Sequence, residues 1–322
     1  MATTISLMLQ KGGVGKSTTT GILAYLLRKR GFRVLVVDMD SQANVSTLLL
    51  QRSVYTFANE TVLEAVEDGD PRPYIVMSDH GVAVLPSDDL LAIFGSRLSV
   101  IAPRYGKNFS PMFALSKMLG VIEDDFDFIL IDCPPSLNEQ TTSALAASDY
   151  VLTVMQSEVY AFQAIPRFFE TIFHVRLHQQ SLGRKPLRML GIIIGLTDRY
   201  ALQESIVEAC RTTYGHFPFS TVIRRLARIG EFATLGIQDH RKEQRQAILQ
   251  FEELLDEIQD RLKVPLDDRE LYEEALTLRL HYVQDKLRRE STTMPASEQE
   301  RFVLQEKDLR HWLTLARKER SP

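Results

Sequence analysis

Residues 10–20, QKGGVGKSTTT, are the stretch of the sequence best suited to chemistry. Gly12, Gly13 and Gly15 permit a tight backbone turn whose N–H groups converge where a Cβ would otherwise stand, which is what a phosphate cradle needs. Lys16 can reach the β- and γ-phosphates of a nucleotide, and the Ser17 hydroxyl is a hard oxygen donor for Mg²⁺. Val14 and Thr18 complete the nucleotide-binding loop. The common pattern G-x-x-x-x-G-K-[ST] requires glycine at position 10, where this chain has Gln10. The match is therefore to the variant K-G-G-x-G-K-[ST], which adds Lys11. A plain connecting turn would explain the glycines but not two lysines and a hydroxyl.

The flanking residues supply the elements that such a loop requires. Ile5, Leu7, Met8 and Leu9 precede it as a strand, and Ile22, Leu23, Leu26 and Leu27 follow at helical spacing, with Gly31 as a stop. The helix beginning near Lys16 adds its N-terminal partial positive charge to the cradle. Val34–Val37 is apolar without alternation, as a strand buried on both faces must be, and it delivers Asp38 and Asp40 to its C-terminal end. In FDFILIDCPPS, 126–136, Phe128–Ile131 lead to Asp132, and Pro134 and Pro135 stop the strand. That is the form of a Walker B element, whose carboxylate holds a Mg²⁺ shell through water. LRMLGIIIGLTD, 187–198, ends in Thr197 and Asp198, a candidate contact for the base.

Composition and the remaining segments bound the answer. The chain has 322 residues, 44% hydrophobic and 25% charged, with a net charge of −4 and two cysteines, Cys133 and Cys210. It predicts a globular protein with reduced thiols, no signal peptide and no membrane span, hence a cytoplasmic one. Helices are expected at 60–69, 138–147, 161–177 and 246–262, strands within 81–86 and at 150–156, and a loop at 102–112. Arg224, Arg225, Arg228, Arg241, Lys242 and Arg245 face only three acidic residues in 222–245, a local basic patch and candidate DNA surface in an acidic chain. A break at Val264–Pro265 divides 1–264 from a helical extension, 265–322. Its last helix should start at a capping box of Ser297 and Glu300 and carries a stripe of Leu309, Trp312, Leu313 and Ala316, suited to a membrane surface, to the protein's own core or to a partner.

KGGVGKST, DMDSQANVS, DCPPSL and TVIRRLARIGEFATLGIQ resemble, in order, four signatures of the ParA family of deviant-Walker ATPases, which also includes MinD. These are its lysine loop, its D-x-D-P-Q-x-N segment, its Walker B and its late T-V-I-P-R-x-x-x-x-x-E-A-P-x-x-G stretch. The resemblance covers about residues 3–250, with Ser41 and Arg224 standing where the family has proline. It implies an α/β P-loop NTPase, a mostly parallel sheet with helices on both faces, followed by the C-terminal helical extension. It also implies ATP and Mg²⁺ as cofactors and an ATP-bound homodimer in which Lys11 reaches the partner's phosphates. Asp40 would position the attacking water, Asp132 would anchor the metal's water shell, and Asp38 would support the metal site. Nonspecific double-stranded DNA and a ParB-type protein would be its partners on the nucleoid. Three alternatives stay open: a positioner of protein cargo, a MinD-like membrane-recruited ATPase, and a reductase resembling the nitrogenase iron protein, which needs cysteines to bridge a cluster between subunits.

Overall fold

The computed structural model describes residues 1–8, 15–106, 109–197, 200–290 and 293–320. In chain order the elements are β1 (Thr3–Met8), α1 (Lys16–Lys29), β2 (Val34–Asp38), α2 (Asn44–Leu50), α3 (Val62–Asp68), β3 (Val76–Met77) and β4 (Ala83–Leu85). Next come α4 (Phe94–Ile101), α5 (Ala114–Leu119), β5 (Phe128–Asp132), α6 (Glu139–Ala146), β6 (Tyr150–Gln156), α7 (Val159–Ser181) and β7 (Arg188–Thr197). The chain ends with α8 (Ala201–Tyr214), β8 (Pro218–Arg224), α9 (Ala227–Leu235), α10 (Lys242–Lys263), α11 (Arg269–Glu290) and α12 (Ala296–Arg320).

Among the described residues the strands form one sheet in the order β3-β4-β2-β5-β1-β6-β7-β8, parallel except for β3. β2 and β6 are buried along their whole length, the reason their sequences are apolar without alternation. One face is covered by α3 to α8, α11 and α12, the other by α1, α2, α9 and α10. The edge strand β8 is closed by α10: Ser220 and Thr221 each donate their N–H to the Glu257 carboxylate at 2.8 Å. Its N–H groups are thereby withheld from edge-to-edge pairing. Arg261, also on α10, donates to the carbonyls of Leu190, His216, Phe217 and Pro218 and stacks 3.8 Å over the Phe219 ring. This approach requires Gly191, since a Cβ there would lie 2.4 Å from both Arg261 and Phe219.

The last two helices share the core of the sheet domain. Asp268 is buried and accepts hydrogen bonds from the Met189 N–H at 2.8 Å and the Tyr272 hydroxyl at 3.1 Å, with Arg176 at 3.4 Å. Tyr272 itself is fully buried against Phe169 and Phe173 of α7. Leu309, Leu313 and Ala316 are buried in the same cluster, so the tail stripe docks on the protein's own core. Two expectations need correction. The helix read as starting at residue 246 begins at Lys242, so Lys242 and Arg245 belong to it. Similarly α12 begins at Ala296, where the N–H groups of Glu298 and Gln299 bond the Pro295 carbonyl, and Ser297 lies inside the first turn rather than capping it. Among the described residues no helix is long and apolar enough to cross a membrane.

Tyr272→Ala should cost about 3–5 kcal/mol by opening a cavity under α11, whereas Tyr272→Phe should lose only about 1 kcal/mol with the hydrogen bond to Asp268. Denaturant midpoints of the two variants check this ordering.

Candidate active site

Parallel pairing decides where the carboxylates emerge. β1 lies between β5 and β6, and register sets Leu7 beside Asp132 and Asp132 beside Asp38. Two acids thus leave adjacent strands at the C-terminal edge of the sheet, next to the strand that runs into the phosphate loop. At the loop's end Gly15 has φ 81° and ψ 16°, a left-handed conformation that glycine adopts at no steric cost. Among the described residues no side chain caps α1, which leaves its first amides to a phosphate.

Asp132 is the hub. Lys16 Nζ lies 2.8 Å from its Oδ1, with the lysine 6% and the aspartate 0% exposed. Thr20 Oγ1 donates to the same oxygen at 2.9 Å, and Ser17 Oγ donates to Oδ2 at 2.6 Å. Ser17 and Thr20 stand three residues apart on α1, so one helix face carries both hydroxyls to the carboxylate.

Asp38 is also fully buried, and both of its oxygens are engaged by protein donors. Oδ1 accepts from the Asp40 N–H at 3.1 Å, while Oδ2 accepts from the Ser46 N–H at 3.1 Å and the Ser46 hydroxyl at 2.7 Å. The Asp40 carboxylate in turn accepts from the Gln42 N–H at 3.1 Å. Ala43 follows with φ 50° and ψ 34°, a backbone that costs an alanine about 1 kcal/mol. Residues 38–46 therefore form a bonded and locally strained loop that fixes the backbone of Asp40.

The charges are unbalanced. Among the described residues the pocket holds Asp38, Asp40 and Asp132 against Lys16 alone. Burial works to lower the Lys16 ammonium, but contact with Asp132 and the charge of Asp40 outweigh it and raise its pKa. Burial, and after it the Asp132 charge, push Asp38 up to about 7. Burial likewise raises Asp40, against the pull of Lys16. A hard divalent cation relieves this excess, and the Ser17 hydroxyl and Asp132 carboxylate are the oxygen donors that suit it. The residues fit Mg²⁺ and a nucleotide triphosphate. No comparable case exists for a bridging cluster: both cysteines are buried, and burial pushes each thiol up to about 12.

A family model described as an AAA domain matches residues 2–183. The chromosome-partitioning ATPase Soj of Thermus thermophilus is 34% identical over 238 residues, which is 72% of this chain and 85% of that protein. The chain belongs to the ParA family of ATPases. The sporulation initiation inhibitor Soj of Bacillus subtilis is 31% identical over 244 residues, 73% of this chain and 89% of that one. Among solved structures, cobyrinic acid a,c-diamide synthase of Mycobacterium smegmatis, with a bound ATP analogue and magnesium, superposes with a TM-score of 0.68 at 26% identity. That match covers 83% of this chain and 97% of the synthase. A plasmid partition protein of Borrelia burgdorferi bound to AMPPNP shares the fold, with a TM-score of 0.65 at 24% identity over 81% of this chain and all of that one.

The sequence-derived residues Gly15, Lys16, Ser17, Asp38, Asp40 and Asp132 meet at this ParA-family site, with Thr18 in the first turn of α1 beside them. Lys11, Gly12, Gly13, Val14 and Asp198, and the side chain of Arg228, lie outside the described residues. Arg224 ends β8 and Arg225 follows it, while Arg241, Lys242 and Arg245 are exposed around the first turn of α10. Gln250 of α10 accepts from the Arg224 N–H at 2.8 Å, joining the two basic segments. Sequence reasoning missed Thr20 and Ser46. Thr20 was findable as the hydroxyl three residues after Ser17, whereas nothing local marks Ser46, eight residues from Asp38.

Lys16→Ala should abolish ATP binding in an equilibrium titration. Thr20→Val, which keeps shape and removes the bond to Asp132, should leave the melting temperature within a few degrees and slow steady-state hydrolysis by about tenfold.

Proposed function

We propose that this ParA-family ATPase segregates DNA: two copies close around two Mg²⁺–ATP, bind duplex DNA without sequence preference, and let go after hydrolysis stimulated by a ParB-type protein. The observation that carries this reading is the buried Lys16–Asp132 pair beside Asp38 and Asp40, a site built to exchange an internal cation for a metal-bound nucleotide. Partition as the task is supported by the names of the Soj relatives and by the basic residues joining β8 to α10. Residues 1–264 would form the ATPase unit and 265–322 its helical extension.

In this reading Lys16 leaves Asp132 for the β- and γ-phosphate oxygens, and the first amides of α1 close on the same group. Ser17 and Asp132 would hold the Mg²⁺ and its water shell, and the metal would supply charge neutralisation at the transferring phosphoryl group. Asp38 fixes the backbone of Asp40. The Asp40 carboxylate orients the attacking water and receives its proton, a role favoured by burial that raises its pKa. Lys11 crosses from the opposite protomer to neutralise charge on the phosphates. The dimer's DNA surface would be drawn from Arg224, Arg225, Arg228, Arg241, Lys242 and Arg245, contacting phosphates rather than bases. The membrane-recruited alternative loses its sequence basis, because the stripe at Leu309, Leu313 and Ala316 is buried.

Retention of random-sequence duplex DNA, measured with ATP, ADP and no nucleotide at two salt concentrations, tests the reading. ATP-dependent retention that weakens steeply with salt is expected, and a triple reversal of Arg241, Lys242 and Arg245 to glutamate should reduce it at least tenfold. Retention that ignores nucleotide would contradict it. Asp40→Ala should still bind ATP and persist on DNA while hydrolysing at least tenfold more slowly; undiminished turnover would mean that another residue orients the water.

A further inference from the structure

The C-terminal extension builds a surface that the nucleotide site does not use. α7 forms the floor and α11 and α12 the walls of an open groove of about 1310 Å³. This exceeds the roughly 300–1,000 Å³ of small-molecule pockets, and a helix about 10 Å across would fill it with about three turns. Its lining is aromatic: Tyr160 and Phe162 from α7, Tyr282 from α11, and Phe302 and Trp312 from α12. Tyr160 is 80% and Tyr282 52% exposed, a large apolar area to leave in water. Pro166 lies in the floor and supplies no N–H to the Phe162 carbonyl four residues earlier. Leu137 and Thr142, five and ten residues beyond Asp132, also line the groove.

The charge of the lining selects the occupant. Arg167, Arg279, Lys286 and Arg301 face two carboxylates, Glu170 and Glu298. Glu170 is already taken by Arg279 at 2.8 Å and Gln305 at 2.8 Å, and Lys286 also pairs with Glu290 at 3.4 Å. Arg167 on α7 and Arg301 on α12, the latter 5.5 Å over the Phe302 ring, remain as two exposed cations against one carboxylate, Glu298. Aromatic residues flanked by arginine are the composition that concentrates binding energy at protein interfaces. We propose that this groove docks a helical segment of a partner protein carrying an apolar stripe flanked by carboxylates, with the stripe on the exposed rings of Tyr160 and Tyr282 and the half-buried Trp312, and the carboxylates on Arg167 and Arg301.

Trp312 is the only tryptophan in the chain, so its fluorescence reports on the groove directly. The probe is a blocked helical peptide of about fourteen residues with leucine and phenylalanine on one stripe and glutamate elsewhere, compared with the same peptide bearing lysine for glutamate. The full-length protein should give a saturable fluorescence change with the acidic peptide at micromolar concentrations, and at least tenfold weaker binding of the basic one. The exposed double variant Arg167→Glu, Arg301→Glu, checked for folding by circular dichroism, should bind the acidic peptide at least tenfold more weakly. Equal binding of the two peptides, which needs no variant to observe, would overturn the proposal, as would the absence of any saturable change. Displacement of the peptide by duplex DNA would also overturn it, by assigning the groove to nucleic acid, and so would self-association lost in the double variant, by assigning it to a second copy.

Discussion

The Lys16–Asp132 ion pair is the interaction on which the rest of the site depends. Both groups are taken from water, and a buried pair offsets its desolvation only when hydrogen bonds satisfy the remaining positions. Ser17 and Thr20 supply those bonds, one to each carboxylate oxygen. All three donors come from the first turns of α1, and Asp132 comes from the neighbouring strand, so the pair exists only while β1 and β5 keep their register. A one-residue slip would turn Asp132 to the other face of the sheet.

That dependence explains much of the architecture. β1 sits in the middle of the sheet, buried by helices on both faces, and the segment after β2 is held by Asp38 through the Asp40 and Ser46 amides. The chain thus spends two buried aspartates in different ways: Asp38 organises backbone, while Asp132 keeps a lysine in reserve. Excess negative charge makes the resting pocket costly and makes a metal-bound polyphosphate a favourable replacement for the internal ammonium. The last two helices stabilise the same framework from outside, with Asp268 and Tyr272 fastening α11 to β7 and α7.

The site was legible in the sequence to the extent that its chemistry is local. Gly15, Lys16 and Ser17 are consecutive, and Asp38, Asp40 and Asp132 each end an apolar run, so pattern alone found them. β8 was harder to read: its burial falls on only part of its length, and Arg224 and Arg225 drew attention to charge instead of strand. α4 and α5 were also missed, each short and surrounded by turns at 89–113. Ser46 was invisible because its role is set by tertiary approach to Asp38. The tail showed its helices through periodicity, but whether its apolar stripe met lipid, a partner or the core depended on the aromatic surface of α7, which lies more than a hundred residues away.

The most direct test of the exchange of Lys16 from Asp132 to phosphate is an ATP titration of the unaltered protein and of Asp132→Asn, each with Mg²⁺ and with a chelator. If Asp132 both holds Lys16 and anchors the metal shell, Mg²⁺ should tighten ATP binding of the unaltered protein by about tenfold or more and that of the variant by much less. Without metal the variant should bind ATP at least as tightly as the unaltered protein, because Lys16 is released and one negative charge is gone. An equal Mg²⁺ gain in both proteins, or weaker metal-free binding by Asp132→Asn, would contradict the account.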